Sequence, residues 1–397
     1  MELNPVLEPG EPLRHNIWYV ISSPTTELRP TARSGQMLVS INNHTFLLGG
    51  ATPTGFAEDK ILKFDRISHN WVVPNETQNE FPPIFEQLSV INEKGEIFSF
   101  GGNFEEKKEA PYSLSPKSQF SHLDIPVPNR TLHNAGCLLN DRYLVFFSGG
   151  QNGRTPVQDT NIYIIDTVTS KMTFKEQSII SPRQGHIIIP INKTKILIHG
   201  GMSEENIFDD FYSFDIITKE IVPLMKGRPE ENKLPQARAA HAAVSDIETG
   251  LIYLHGGLSR NNIALDDFWM YDTITNFWTD LSISANVALP TPRISHSLSI
   301  INLPVYDNEL ERSANQSEKS DDSKILPGND CELVELENWR AVAEGQDPGT
   351  ANNTKMSESS TMAIGDKKIN AEVKVLAIFG GMDTEANFYN DLMVYKI

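Results

Sequence analysis

Apolar and polar residues alternate over short stretches of this chain, and these stretches recur at a regular interval. Residues 252–278, IYLHGGLSRNNIALDDFWMYDTITNFW, show the arrangement: an apolar run ends in two glycines, a pair of aspartates follows, and a tryptophan closes the segment. Glycine pairs follow apolar runs six times, with the first glycine at Gly49, Gly101, Gly149, Gly200, Gly256 and Gly380. The intervals are 52, 48, 51, 56 and 124 residues. A period near fifty residues is typical of propeller arrays, so six repeat units are predicted, the last carrying an insertion of roughly seventy residues.

Each unit resolves into four short extended segments that turn-forming residues separate, as strands require. In the fifth unit these segments are residues 237–246, 250–257, 266–272 and 276–281. The glycines that end the second segment allow positive φ and a close approach to the neighbouring backbone. A large residue stands seven positions after an aromatic or aliphatic one and is predicted to pack between blades. The residues in this position are Trp71, Met172, Ile221 and Trp278.

The sixth unit lacks a fourth strand at its C-terminal end, and the N-terminus supplies one. Its own strands are predicted at residues 294–302, 373–381 and 390–397, and NIWYVI at 16–21 would complete the blade, with Trp18 as its anchor. Such closure removes exposed sheet edges. The predicted fold is therefore an all-β, six-bladed propeller of four-stranded antiparallel blades, closed by the N-terminal strand. The predicted divisions are an extension at 1–15, blades at 16–302, an insertion at 303–372 and the rest of the sixth blade at 373–397.

The insertion differs in composition from the repeats around it. Residues 303–372 hold 15 acidic and 7 basic residues, which is −8 of the chain's net charge of −18. A segment this polar and charged is predicted to be largely disordered. Within it, CELVELENWRAVAE at 331–344 fits a short helix or a recognition segment as well as a solvated loop.

Charge and composition exclude several classes of partner. A net charge of −18 and a pI near 5.0 repel phosphates and anionic lipid headgroups, so neither nucleic acid nor direct membrane insertion is expected. No apolar run reaches the length of a membrane span, and the N-terminus lacks a signal-peptide pattern. The two cysteines, Cys137 and Cys331, do not suggest a structural disulfide, which favours a reducing, cytoplasmic location.

With the glycine pairs, the aromatic-Asp step and the spaced tryptophan, an Arg-x-x-His motif gives the chain its resemblance to the kelch family. The motif precedes the first strand as Arg130/His133, Arg183/His186, Arg238/His241 and Arg293/His296. The first unit keeps Arg33 but has Gln36, and the second, with Ile84 and Gln87, is the most divergent. The fold implied is the propeller already predicted; one fold hosts many functions, so these motifs alone do not assign one.

Three longer segments resemble kelch-motif effectors of Rab GTPases. They are PVLEPGEPLRHNIWYV at the N-terminus, PVQDTNIYIID in the third unit and the polar insertion within the last blade. The resemblance implies a non-enzymatic effector or adaptor of a GTP-bound Rab GTPase in endosome to trans-Golgi vesicle transport. It further implies a cytoplasmic protein that reaches the endosomal membrane through its partners. Our own hypothesis is that the insertion stays free for a second protein. It supplies no GTPase-contact motif.

The repeated arginines are the candidate site, and two interpretations of them stand. Arg33, Arg130, Arg183, Arg238 and Arg293 could form a basic ring at the channel mouth that recognises acidic side chains, since the guanidinium fork suits carboxylates. Alternatively, each could pair inside the propeller with a carboxylate such as Asp159, Asp210 or Asp267. Arg154 and Arg260, in loops between the second and third strands, complete the candidate protein-binding face. The first interpretation supports an alternative function, a scaffold or substrate-recognition module for an acidic peptide.

Catalytic signals are weak. No His-x-His or Cys-x-x-Cys pair suggests a metal, and neither a nucleophile elbow nor a phosphate loop is present. Glu205 and Asp209 begin the iron-ligand pattern of some kelch-type specifier proteins, but Ser213 stands where histidine is needed. No cofactor or metal is therefore expected, and a metal-dependent oxidoreductase or hydrolase is the third and weakest hypothesis.

Overall fold

The computed structural model describes most of the repeat region in strands. The described residues are 3–22, 28–58, 61–74, 82–104, 112–114, 120–122, 135–152, 155–224, 234–283, 288–306, 363–364 and 367–397. Within these ranges the regular structure is β-strand, apart from one short 3-10 helix at Leu281–Ile283. The chain divides into two compact parts, one of residues 1–304 and 372–397 and the other of residues 305–371.

Each repeat contributes one sheet, and we call these sheets unit one to unit six. Unit one has strands Met37–Ile41, His44–Leu48, Ile61–Asp65 and Asn70–Val72. Unit two has Leu88–Ile91, Ile97–Phe100, Tyr112–Leu114 and Phe120–His122. Unit three has Gly136–Leu139, Tyr143–Phe147, Asn161–Asp166 and Lys171–Gln177. Unit four has Ile187–Pro190, Lys195–His199, Phe211–Asp215 and Ile221–Pro223.

The last two sheets are larger. Unit five has Arg238–Ala239 and Ala242–Asp246, both paired with Leu251–Ser259, followed by Ala264–Asp272 and Phe277–Asp280. Unit six has Ser297–Tyr306, Lys367–Phe379, Leu392–Lys396, Trp18–Ile21 and Val6–Leu7, and Ala363–Ile364 pairs with the start of Lys367–Phe379. Short two-stranded pairs are Ala51–Thr52 with Gly55–Phe56, Ile84–Phe85 with Asn103–Phe104, and Gly150–Asn152 with Thr155–Pro156. The prediction of an all-β propeller is confirmed.

The hydrophobic core lies between neighbouring sheets rather than at one centre. Six clusters of buried side chains each draw on two consecutive units, and unit six shares a cluster with unit one. Representative members are Leu38 with Val375, Leu48 with Ile97, Leu88 with Phe146, Val145 with Ile198, Leu197 with Ile252, and Tyr253 with Leu376. A sheet therefore buries its two faces only when both neighbours are present.

The predicted anchor residues occupy the expected register. Trp71 lies opposite Phe64, Met172 opposite Ile165, Ile221 opposite Phe214, Trp278 opposite Tyr271, and Trp18 opposite Tyr395. Each described tryptophan of this set also packs against the preceding unit, with ring centroids 5.5 Å apart for Trp71 and Phe379 and 5.3 Å apart for Trp18 and Phe268. The prediction that these residues pack between sheets is confirmed.

Glycine pairs bring consecutive units into direct backbone contact. The amide of Gly201 donates to the carbonyl of Arg238 in the next unit at 2.8 Å, and a Cβ on Gly201, whose φ is +95°, would lie 2.7 Å from Cβ of His186. The equivalent bonds are Gly50 to Ile84, Gly149 to Arg183, Gly257 to Arg293 and Gly381 to Arg33. In unit three the predicted pair Gly149-Gly150 is one residue late: Gly149 makes the bond, and Ser148 takes the first position with φ of +50°.

The N-terminal segment adds two strands to unit six. Trp18–Ile21 pairs antiparallel with Leu392–Lys396, as predicted, and Val6–Leu7 pairs parallel on its outer side. The second strand was not predicted, because two residues are too short to show alternation. Pro5 and Leu7 hold it by accepting from the amides of Val20 and Ser22. Most of the 303–372 insertion, including 331–344, lies outside the described residues, so its predicted disorder and the proposed divisions of the chain remain predictions.

Trp18 should be essential to the stability of this arrangement. Its side chain is fully buried among Phe268, Tyr395 and His255, so Trp18→Ala should lower the free energy of unfolding by about 3–5 kcal/mol. Phe277→Ala is the control. Phe277 lies on an outer strand and is 42 % exposed, so its loss should change the free energy of unfolding by less than about 1 kcal/mol. Chemical denaturation measures both. Equal stability of Trp18→Ala and the wild type would mean that the N-terminal strand does not pack as described.

Candidate functional site

Four of the candidate arginines are buried inside the propeller. Arg33, Arg183, Arg238 and Arg293 stand just before or at the start of the first strands of units one, four, five and six, and at most 1 % of each residue is exposed. Arg130 lies outside the described residues.

Arg238 shows how such a side chain is satisfied. Its Nε donates to the carbonyl of Gln236 at 3.1 Å, and its Nη1 donates to the carbonyl of Gly256 at 2.9 Å. Its two terminal nitrogens also hold both oxygens of Asp267, at 2.7 and 2.6 Å. The fork thus ties the segment before the first strand to the end of the second strand and the third strand of the same unit.

The same geometry recurs around the ring. Arg183 pairs with Asp210, and Arg293 pairs with Asp391, each through both carboxylate oxygens. Arg33 donates to the carbonyls of Thr31 and Gly49. Burying a guanidinium group is costly unless it is paired and fully hydrogen-bonded, and here the repeated aspartate supplies the countercharge.

This burial corrects one expectation from the sequence. Arg33, Arg183, Arg238 and Arg293 do not line an accessible basic mouth, because their donors are turned into their own units. The structural interpretation holds for Asp210 and Asp267, which were named as candidate partners. Asp391 was missed, although it stands before the third strand of unit six in the same position as the other two.

A belt of backbone hydrogen bonds joins five units beside their first strands. The amide of Glu86 donates to Gly35, that of Gly35 to Ser295, that of Ser295 to Ala240, and that of Ala240 to Gly185. These five residues all have positive φ. Beside this belt lies a cavity of about 100 Å³, lined also by Gln36, Gln87, His186, His241 and His296.

Burial keeps His241 and His296 uncharged. Desolvation lowers the pKa of His241 and His296 well below the ordinary value, and neighbouring Arg238 and Arg293 lower it further. Within the described ranges, no three His, Cys, Asp or Glu side chains are grouped to hold a metal ion. Burial also raises the pKa of the Cys137 thiol, which makes it a poor nucleophile.

The exposed part of the candidate face lies in the loops between second and third strands. The side chain of Arg260 is 63 % exposed; its Nε donates to the carbonyl of Ile207 at 3.0 Å, and its Nη2 lies 3.6 Å from Asp209. Thr155 in turn donates to Glu204 at 2.6 Å. These five residues, which we call the loop ridge, connect the loops of units three, four and five. Arg154, next to Thr155 in the chain, lies outside the described residues.

Loss of an ion pair should lower the free energy of unfolding much more at a buried arginine than at an exposed one. Asp267→Ala leaves the buried guanidinium of Arg238 without its countercharge, so the free energy of unfolding should fall by about 3–5 kcal/mol. Arg260→Ala breaks an exposed pair and should cost at most about 1 kcal/mol. Urea denaturation compares the two. Similar losses in both variants would contradict the structural role assigned to the buried arginines.

Comparisons with known proteins agree with this geometry. The model described as the KLHDC2/KLHL20/DRC7 Kelch-repeats domain matches residues 35–230 and 117–306. The Rab9 effector protein with kelch motifs of Mus musculus is 28 % identical, over 99 % of this chain and 97 % of its own length. The human protein of the same name is 30 % identical, over 53 % of this chain and 59 % of its own length.

A plant protein matches as well. An F-box/kelch-repeat protein of Arabidopsis thaliana is 25 % identical over 68 % of this chain and 55 % of its own length. Within the described residues, the structure contains no helix long and apolar enough to cross a membrane. The two matches of the family model together cover more than half of the sequence: this chain belongs to the kelch-repeat family.

Proposed function

We propose that this chain is a non-enzymatic kelch propeller that acts as an effector or adaptor of a GTP-bound Rab GTPase. The observation that carries the proposal is the extent of the similarity. The mouse and rat proteins named Rab9 effector protein with kelch motifs match 99 % of this chain over 97 % and 99 % of their own lengths. The match thus extends beyond the repeats to the N-terminal strands and the insertion, which a comparison limited to generic repeats would not include.

The propeller that serves this role is proposed to have six four-stranded blades in one closed ring. Two observations support this number. Core clusters join every consecutive pair of units, including six and one, and Gly381 donates to Arg33 across that last junction as other glycines do elsewhere. Trp18–Ile21 completes the sheet of unit six by pairing with Leu392–Lys396.

The proposed setting is endosome to trans-Golgi vesicle transport. The chain acts there as a cytoplasmic protein that associates peripherally with the endosomal membrane through its partners. The acidic insertion at 303–372 remains available for a second protein. The catalytic alternatives gain no support from the described residues, in which the histidines of units four to six are buried and no His, Cys, Asp and Glu side chains are grouped for a metal.

The effector role requires nucleotide-dependent binding. A Rab GTPase orders its two switch segments only in the GTP form, and an effector binds the ordered segments. We therefore expect GTP-locked Rab9 or another member of a Rab panel to bind in titration calorimetry, with the GDP-locked form at least about tenfold weaker, a difference of about 1.4 kcal/mol. Equal binding of both forms would contradict the effector role, as would binding to no Rab.

The loop ridge is the proposed contact surface, because loops carry recognition while the buried arginines stabilise the blades. Arg260→Glu reverses an exposed charge on this ridge and should weaken GTPase binding a few-fold, mainly through the association rate. Lys193→Glu is the matched control, since Lys193 is exposed in the turn at the opposite strand ends of unit four. Replacing residues 307–362 by a Gly/Ser linker should leave GTPase affinity unchanged. Full affinity in Arg260→Glu combined with loss in the linker variant would place the contact in the insertion instead.

A further inference from the structure

Two positions meet at each junction between consecutive units. One is the residue just before the glycine pair, at the end of a second strand; the other is the third residue after the arginine position of the following unit. At the junction of units six and one these are Phe379 and Gln36, and at the junction of one and two they are Leu48 and Gln87. At four and five, and at five and six, both positions are histidine. At three and four, Phe147 meets His186 with ring centroids 5.7 Å apart. Equivalent contacts therefore differ in chemistry, and the glutamine and double-histidine junctions are the two extremes.

At the glutamine junctions neither of the two positions carries a titrating side chain. Gln36 donates through Nε2 to the carbonyl of Phe379 at 2.8 Å, and Gln87 donates likewise to the carbonyl of Leu48 at 3.3 Å. An amide and an aliphatic or phenyl group keep the same charge at every physiological pH. These contacts therefore hold equally well in mild acid and at neutrality.

The histidine junctions depend on a shared proton. Nδ1 of His199 lies 3.1 Å from Nε2 of His241, and Nδ1 of His255 lies 3.1 Å from Nε2 of His296. The paired rings are nearly perpendicular, at 88° and 86°, and at most 6 % of any of the four residues is exposed. One ring of each pair must donate and the other must accept, so a pair in which both rings are protonated loses its hydrogen bond and sets two charges against each other.

The surroundings of these rings also resist a positive charge. Burial is the main cause of the lowered pKa values, to about 3 for His199 and well below the ordinary value for the other three. Arg183 and Arg238 face His199, while Asp209 and Asp210 partly offset them. The other three rings also have charged or titratable neighbours. His241 faces Arg238, His186, His199 and His296. His255 faces Arg293 and Arg238, and His296 faces His255 and Arg293.

We propose that the junctions of units four with five and five with six form an acid-labile seam, at which mild acid opens the ring before it opens at the glutamine junctions. The direction of the pH effect on opening follows from the linkage between opening and proton binding. Above the ordinary histidine pKa of about 6.5 neither state binds a proton, whereas below it the opened junction takes up protons that the closed junction excludes. Each freed histidine favours opening about tenfold one pH unit below that value, so a pair favours it about a hundredfold. The device acts on one side of the propeller and leaves the contacts of unit one unaffected.

Hydrogen exchange of the full chain followed by mass spectrometry tests the seam. Peptides covering residues 196–199 and 241–246 report on the junction of units four and five, and those covering 252–255 and 296–301 report on that of five and six. Peptides covering 36–41 and 376–379 are the internal reference. After correction for the intrinsic pH dependence of exchange, the opening equilibrium at both histidine junctions should rise about a hundredfold from pH 7.5 to pH 5.5, with little change in the reference peptides. A uniform rise across all peptides, or none, would overturn the proposal.

A double variant can replace a histidine pair by the phenylalanine and glutamine of another junction. His255→Phe/His296→Gln installs at the junction of five and six the pair that Phe379 and Gln36 form at the junction of six and one. The acid response should disappear from residues 252–255 and 296–301 and persist at 196–199 and 241–246. Persistence of the response at both junctions would show that other groups cause it. If this variant does not fold, the wild-type comparison between histidine and glutamine junctions still decides the matter.

Discussion

The structure depends on one backbone hydrogen bond that repeats between consecutive units. A glycine that follows the second strand donates its amide to the carbonyl at the arginine position of the next unit, and the bond recurs at five described junctions, including that of units six and one. The junction leaves little room for a Cβ: at Gly256 it would lie 2.8 Å from the carbonyl oxygen of Arg293 in the next unit, and at Gly257 it would lie 2.7 Å from Cβ of His241 in the same unit. It also requires positive φ, which glycine adopts without strain. This constraint explains why glycine pairs recur at a regular interval in the sequence.

The arginine that accepts this bond is also the residue that organises its own unit. Its carbonyl faces the preceding unit, while its guanidinium turns inward to the first glycine of its own pair and, in three units, to an aspartate before the third strand. One residue thereby joins two sheets and three strands. Because these donors are consumed inside the blades, the four described arginines of the motif are unavailable for recognition.

Much of the architecture could be predicted from residue spacing. The tryptophan seven positions after an aromatic residue fixed the register of the outer strands, because the turn between them has constant length, and every described anchor lies opposite the expected partner. The glycine register of unit three failed by one residue because three small residues, Ser148, Gly149 and Gly150, stand together, and only the hydrogen bond to Arg183 distinguishes them. The Val6–Leu7 strand was missed for lack of any periodic signal.

The candidate site was less predictable than the fold. Burial of the arginines could be argued from their repetition, but the sequence does not state which side of a strand end a long side chain takes. The loop ridge and the paired histidines arise from contacts between different units, such as Arg260 with Asp209 and His199 with His241, and no local spacing encodes them. Such pairs become visible only when the ring brings distant residues together.

Substituting glycine by alanine tests the central claim that close approach at the glycine pair holds the units together. Gly200 and Gly55 both have positive φ, +66° and +136°, but a Cβ at Gly200 would lie 2.7 Å from the carbonyl oxygen of Arg238 in the next unit, whereas at Gly55 it would meet nothing within 4 Å. Positive φ costs about 1–3 kcal/mol in either variant, and overpacking at Gly200 adds about 1–3 kcal/mol more. The measurement is the free energy of unfolding of Gly200→Ala and Gly55→Ala under the same conditions. A distinctly larger loss in Gly200→Ala is the predicted result, and equal losses would contradict the account.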